Sequence, residues 1–150
     1  RAIQGGERVL DLGSGSGILS ITALLLGAKT AVGVDIDPKA EDIARENAAI
    51  NALYADRFTA VTGDVIGDRA MMERLGDGYD IVLANIVADV IIPLSPVVPH
   101  FLTKEGVFIC SGILDTRFDE VSAAIERAGM RIVSSDRQED WRRITAMRAE

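Results

Sequence analysis

The chain has 150 residues, 48% of them apolar and 26% charged, with 16 Lys plus Arg against 23 Asp plus Glu and a net charge of -7. That length suits one domain able to bury about two thirds of the surface its unfolded chain exposes, and the composition argues against a disordered chain. An acidic balance without a basic block argues against nucleic acid as a direct partner.

The chain opens at Arg1 without a methionine and runs at once into "GGERVLDLG", which reads as a fragment of a longer protein cut just before its first strand. No signal peptide pattern opens it. The first predicted strand, Arg8 to Leu12, leads into "VLDLGSGSGILSI", where an aspartate is followed by glycines at alternate positions and then a helix, Ile18 to Leu26. Glycine permits unusual backbone angles and lets a ligand approach main chain that any side chain would block.

The second strand, Ala31 to Asp35, closes on an acid, and the helix Pro38 to Asn51 carries its start signals in order: Asp37 as N-cap, Pro38 in the first turn and Glu41 after it. Then come a strand at Phe58 to Thr62, a short helix near Asp68 to Leu75, a strand at Tyr79 to Ala84, a helix at Ala88 to Phe101, a strand at Gly106 to Ser111 and a helix at Thr116 to Ala128. The final strands, Met130 to Asp136 and Trp141 to Arg148, flank a polar turn at Arg137 to Asp140 and suit an antiparallel hairpin. Strands separated by helices are parallel, because each crossover returns the chain to the same end of the sheet. The fold class is therefore α/β, a doubly wound Rossmann-like sheet with an antiparallel last strand, and residues 1–150 form one domain.

Ligands of such sheets sit at the carboxyl ends of the strands, where the strand order reverses beside the first strand. The bend at Gly13, Ser14, Gly15 and Gly17 lies there. The dinucleotide fingerprint G-x-G-x-x-G needs a third glycine at position 18, which is Ile18, and the spacing here is G-x-G-x-G. Asp11 stands two residues before the first glycine, where it would repel a diphosphate seated at a helix start. S-adenosylmethionine carries an ammonium and a sulfonium and no phosphate, so an acidic bend favours it over NAD. A P-loop is disfavoured by the same acid and by the absence of its lysine motif.

Asp35 lies roughly 20 residues after the bend, where an acid accepts hydrogen bonds from ribose hydroxyls in either cofactor class. Asp64, in "VTGDV", is placed to accept from an adenine amino group, with the Val65 backbone against the ring and Ile36 over one of its faces. Asn85, in "IVLANIVAD", faces the reactive end of the cofactor; its carbonyl is suited to accept a hydrogen bond from a target amine and so align the nitrogen lone pair, a positioning effect. No histidine or lysine is placed to take the amine's proton.

The segments "VLDLGSGSG", "GVDIDP", "ENAAIN", "GD", "ANIVADVI" and "SGIL", in this order over Gly6 to Arg148, resemble class I S-adenosylmethionine-dependent methyltransferases, and more narrowly the ribosomal protein L-eleven methyltransferase family, PrmA. The glycine bend and Asp35 belong to the whole superfamily. "GVDIDP", "ANI" in place of "NPPY", and "SGIL" carry the narrower likeness. The resemblance implies seven strands in the order 3-2-1-4-5-7-6, S-adenosyl-L-methionine as cofactor, and N-methylation of lysine and N-terminal amino groups of a ribosomal protein in the bacterial cytoplasm. Two parts of the family pattern do not occur in these 150 residues: an N-terminal substrate-recognition domain, which the resemblance makes the contact to the ribosomal protein, and a "GTGxHxTT" segment before the first strand. A monomer is expected. Alternatives are a methyltransferase of the same fold acting on RNA or a small molecule, an NAD-binding oxidoreductase domain, and a non-catalytic cofactor-binding module.

Other residues have plainer readings. His100, the single histidine, reads as a helix-terminal surface residue. Cys110, the single cysteine, reads as a small buried apolar side chain in a reducing compartment. Trp141 is expected to pack in the last hairpin, and Asp115, Asp119 and Glu120 to form a solvated helix start. Ser111 and Gly112 end the fifth strand on the ligand side, with a substrate role and a turn role both open. No His, Cys or carboxylate cluster has metal-ligand spacing, and the apolar region Ile81 to Val98 is interrupted by Asn85, Asp89, Pro93 and Pro96, a poor membrane span.

Overall fold

The computed structural model describes residues 3–149. Seven strands form one sheet in the order β3-β2-β1-β4-β5-β7-β6. They are β1 (Arg8–Leu12), β2 (Thr30–Asp35), β3 (Phe58–Thr62), β4 (Tyr79–Asn85), β5 (Leu102–Leu114), β6 (Met130–Gln138) and β7 (Trp141–Arg148). The first five pair in parallel; β7 runs antiparallel to both β5 and β6. The helices are α1 (Ile18–Leu25), α2 (Pro38–Ile50), α3 (Arg69–Leu75), α4 (Ala88–Leu94), α5 (Val98–Phe101) and α6 (Phe118–Arg127).

Parallel strands are covered on both faces and so carry apolar residues at both parities. In β1, Val9 belongs to the core on the α1 and α2 side, with Ile21, Leu24, Ala44, Ala48 and Phe58. Leu10 and Leu12 point the other way, into a core with Val82, Ile91, Phe101, Phe108 and Ile125. Strict alternation then sends Asp11 to the α1 side, among apolar residues. Ala40, Ala44 and Ala48 recur every fourth residue along α2 and seat it close against the sheet. Asp37 caps that helix, its carboxylate accepting the Lys39 N–H at 3.0 Å.

The structure departs from the sequence reading where tertiary pairing overrides local signals. The predicted helix Ala88 to Phe101 breaks into α4, a 3-10 turn at Ser95–Val97, and α5. Pro93, Pro96 and Pro99 each lack the N–H that a continuous helix needs, and the buried Ser95 hydroxyl donates to the Ile91 carbonyl at 2.8 Å. The fifth strand is twice its predicted length, because Leu102 already pairs with Tyr79 and Leu114 still pairs with Trp141. The last hairpin turns on only Glu139 and Asp140, between the paired Gln138 and Trp141.

Trp141 is half exposed, contrary to the expectation that it packs in the hairpin, because it pairs with Leu114 at the outer ends of their strands. Asp115 is also no solvated helix residue. It lies in a 3-10 turn and accepts from Arg142 at 2.9 Å, and that hydrogen bond, with Arg137 nearby, holds its carboxyl below the usual range. The Arg142 guanidinium stacks 3.7 Å from the Phe118 ring centre. Asp119 and Glu120 are exposed in the first turn of α6, and His100 is exposed at the end of α5. Cys110 is fully buried, and burial pushes its thiol up to about 12.

Candidate functional site

The strand order reverses on either side of β1, so the connections leaving the carboxyl ends of β1 and its neighbours run to opposite sides around the bend that follows Leu12, which itself stays paired with Val34 and Ala84. Gly13, Gly15 and Gly17 have φ of 76, 53 and 83°, a left-handed run that residues with a side chain adopt only under strain. Each has its own reason to be bare. A Cβ on Gly13 would lie 2.6 Å from the Ile86 side chain, and one on Gly17 would lie 3.1 Å from that of Ala44, so Gly17 lets α1 and α2 approach. Around Gly15 there is open space; its bareness serves whatever comes to the bend.

The bend is fastened from three sides. The Val34 carbonyl accepts the N–H groups of Gly13 and Ser14 at 2.8 and 3.0 Å. Asp35 accepts from Gly15 N–H at 2.8 Å and, with its other oxygen, from Asp37 N–H at 3.0 Å. Asn47 of α2 donates its side-chain N–H to the Ser16 carbonyl at 3.0 Å. Ser14 itself packs on Gly33, where a Cβ would come within 3.0 Å of it.

Asp11 lies beneath this bend, 1% exposed. One carboxylate oxygen accepts the Ser20 hydroxyl at 3.0 Å, while the other, Oδ1, is buried without a partner. Desolvation raises its pKa from 3.8 to about 6; hydrogen bonding from Ser20 offsets part of this and the nearby Asp35 charge adds to it. A buried, half-satisfied carboxylate is a poor neighbour for a phosphate and a favourable one for a cation.

A cleft of about 230 Å³ opens beside the bend, and Gly13, Asp35, Ile36, Asp64, Val65 and Ile86 all line it. Ile36 is 70% exposed, an apolar side chain presented to the cleft and not packed into the core. Val65 is buried in the cleft floor, and Asp64 is held by accepting the Ile66 N–H at 3.0 Å. Asn85 is the last residue of β4, exposed, and paired in register with Ser111 of β5. Of the residues expected from sequence, Gly13, Asp35, Ile36, Asp64 and Val65 line this cleft; Ser14, Gly15 and Gly17 complete the bend beside it, while Asp11 is buried on the α1 face of the sheet and Asn85 lies at the end of β4, both outside the lining. A larger groove of about 1040 Å³, over Ile81, Val107 and Thr145, contains none of them.

Sequence reasoning missed Gly33, Asn47 and Ile86. Gly33 had a signal, since a glycine inside a buried strand marks close backbone approach. Asn47 and Ile86 act through tertiary contacts that no local pattern displays. Among the described residues no group of His, Cys, Asp and Glu could hold a metal ion, and no helix is long and apolar enough to cross a membrane.

This sheet order, with its antiparallel last strand and glycine bend at the switch point, is the fold of class I methyltransferases. The family pattern described as Ribosomal protein L11 methyltransferase (PrmA) matches residues 1–149, and the chain belongs to that family. A ribosomal protein L11 methyltransferase of Agathobacter rectalis is 47% identical over 141 residues, covering 93% of this chain and 44% of its own length. One from Lachnoclostridium phytofermentans is 44% identical, covering 96% of this chain and 47% of its own length. The chain spans less than half of either relative. The crystal structure of a ribosomal protein L11 methylase from Lactobacillus delbrueckii subsp. bulgaricus superposes with a TM-score of 0.90 at 29% identity, over 100% of this chain and 74% of that one. A magnesium protoporphyrin IX methyltransferase from Synechocystis, solved with bound SAM, shares the fold at a TM-score of 0.75 and 22% identity, over 97% of this chain and 71% of that one.

Proposed function

We propose that this chain is the S-adenosylmethionine-binding domain of a protein methyltransferase that N-methylates lysine side chains and the N-terminal amine of a ribosomal protein in the bacterial cytoplasm. In this reading the substrate is recognised by a separate N-terminal domain of the kind the longer relatives have room for. One observation carries the choice of cofactor: the buried Asp11, with Oδ1 unpartnered, beneath a bend whose Gly15 faces open space. That buried, negatively charged acceptor suits a cationic amino acid moiety and opposes a diphosphate.

S-adenosylmethionine supplies an electrophilic methyl group on sulfur, which passes to an amine nitrogen as the C–N bond forms, the C–S bond breaks and the bonding pair stays on sulfur. The protein's part is to bind, orient and stabilise. The bend from Gly13 to Gly17 holds the amino acid half, with Asp11 as a fixed negative charge buried beneath it. Each Asp35 oxygen accepts one N–H bond from the chain and keeps a lone pair for a ribose hydroxyl. Ile36 would cover one face of the adenine, the Val65 backbone would lie against the ring, and Asp64 would accept from its amino group. Asn85 accepts an N–H from the neutral acceptor amine and fixes the lone pair in line with the methyl, which converts binding into a near-attack arrangement. The amine must lose its proton before transfer, because only the neutral nitrogen has the lone pair that attacks.

Calorimetric titration with S-adenosylmethionine and with NAD tests the cofactor assignment: S-adenosylmethionine binds and NAD does not. Tight NAD binding without a response to S-adenosylmethionine overturns it. A methylation assay of the full-length protein against ribosomal protein and against ribosomal RNA tests the substrate, with label on lysine and the N-terminal amine expected and label on RNA refuting it.

A further inference from the structure

We infer that Gly112 is a positioning residue for methyl transfer, acting through Asn85. The inference rests on the role proposed above for Asn85 and assigns a function to a residue whose part was open between turn and substrate.

Between Cys110 and Ile113 the pairing of β5 with β7 shifts register, and Gly112 sits inside this irregularity at φ +81°. The shift turns its bare Cα toward the end of β4. A Cβ there would stand 2.8 Å from Asn85 Oδ1, 3.3 Å from the Ile86 carbonyl oxygen and 3.6 Å from the Ile86 nitrogen. The 3.6 Å approach is ordinary contact and the 3.3 Å approach is tight against backbone, while the 2.8 Å contact, which must give, is to the carbonyl end of a side chain that can rotate away. Any residue larger than glycine therefore resolves the clash by displacing the one atom that orients the acceptor amine. Asn85 and Ser111 pair in register on the adjoining strands, so the sheet fixes the backbone of Asn85 relative to Gly112 and leaves the amide as the part free to move. Bulges next to active sites commonly re-aim a group in this way.

Three readouts test it on the full-length protein. In Gly112→Ala, the side-chain amide resonances of Asn85 in a 1H–15N spectrum shift, the affinity for S-adenosylmethionine measured by calorimetry stays within about twofold, and kcat falls by about ten- to a hundredfold. In an Asn85→Ala background, adding Gly112→Ala leaves the remaining rate unchanged, because the atom it displaces is already gone. Gly129→Ala controls for backbone strain, since Gly129 has φ +90° and open space around it; that variant keeps the wild-type rate. Unmoved Asn85 resonances in Gly112→Ala, or an equal loss of rate with and without the Asn85 side chain, overturn the inference. Failure of the wild-type protein to bind S-adenosylmethionine would instead sink the reading of the site, and the resonances still report whether Gly112 sets the Asn85 amide.

Discussion

Asp11 accepts the Ser20 hydroxyl through one oxygen at 3.0 Å and buries the other without a partner. Its folded pKa, about 6, lies above the unfolded value of 3.8 because burial penalises the charged form. The stability Asp11 contributes as a neutral acid is thus complete below pH 3.8 and lost as pH rises through about 6. Asp11→Asn should raise stability at neutral pH by about 1–3 kcal/mol, and the gain should vanish near pH 4. Chemical denaturation at the two pH values checks this. The same variant loses affinity for S-adenosylmethionine, so a gain in stability accompanies a loss of binding.

Binding of a cationic ligand beside Asp11 lowers its pKa again. Near pH 6, association therefore releases up to about half a proton, and affinity climbs from pH 5 to pH 7. Calorimetry in buffers of different ionisation enthalpy measures the proton directly. Proton uptake over that range would contradict the assignment.

Asn85→Ala removes the group that orients the acceptor but leaves the cleft intact, because Asn85 is exposed at the end of β4 and is no part of the cleft lining. Its kcat should fall by about a hundredfold or more, with cofactor affinity almost unchanged. Single-turnover rates and calorimetry on the same samples separate the two. A large loss of affinity would place Asn85 on the cofactor instead.

The glycines of the bend should respond differently to the same small change. Gly13→Ala meets Ile86 and a left-handed backbone together, and should cost about 2 kcal/mol or more of stability along with binding. Gly15→Ala meets only the backbone penalty of about 1 kcal/mol. Its methyl stands in the space above the bend, so binding is lost with the fold nearly intact. Thermal melts and titrations of both variants make the comparison.

How far these features were legible in the sequence depends on how local they are. The start of α2 at Asp37 and Pro38, the acid before the bend and the acid closing β2 are local and could be read directly. The full length of β5 could not: Lys104 and Glu105 are exposed charges that read as loop, and they lie in an irregularity of the β4–β5 ladder between the paired Leu102 and Val107, which join this stretch to the strand. The break at Ser95 was signalled by three nearby prolines but hidden by the apolar run around them. The approach of Gly112 to Asn85 depends on a register shift between β5 and β7, distant in sequence, and no residue pattern announced it.

The anchoring of Gly15 by Asp35 bears on how quickly a ligand arrives. Its seat is folded in advance, so the ordering cost falls on folding and not on encounter. Capture then needs no slow rearrangement, and stopped-flow traces should show one phase whose observed rate climbs linearly with ligand concentration, without a plateau. Cutting the tether with Asp35→Ala should introduce that plateau, as the loosened turn has to find its shape before it can hold anything.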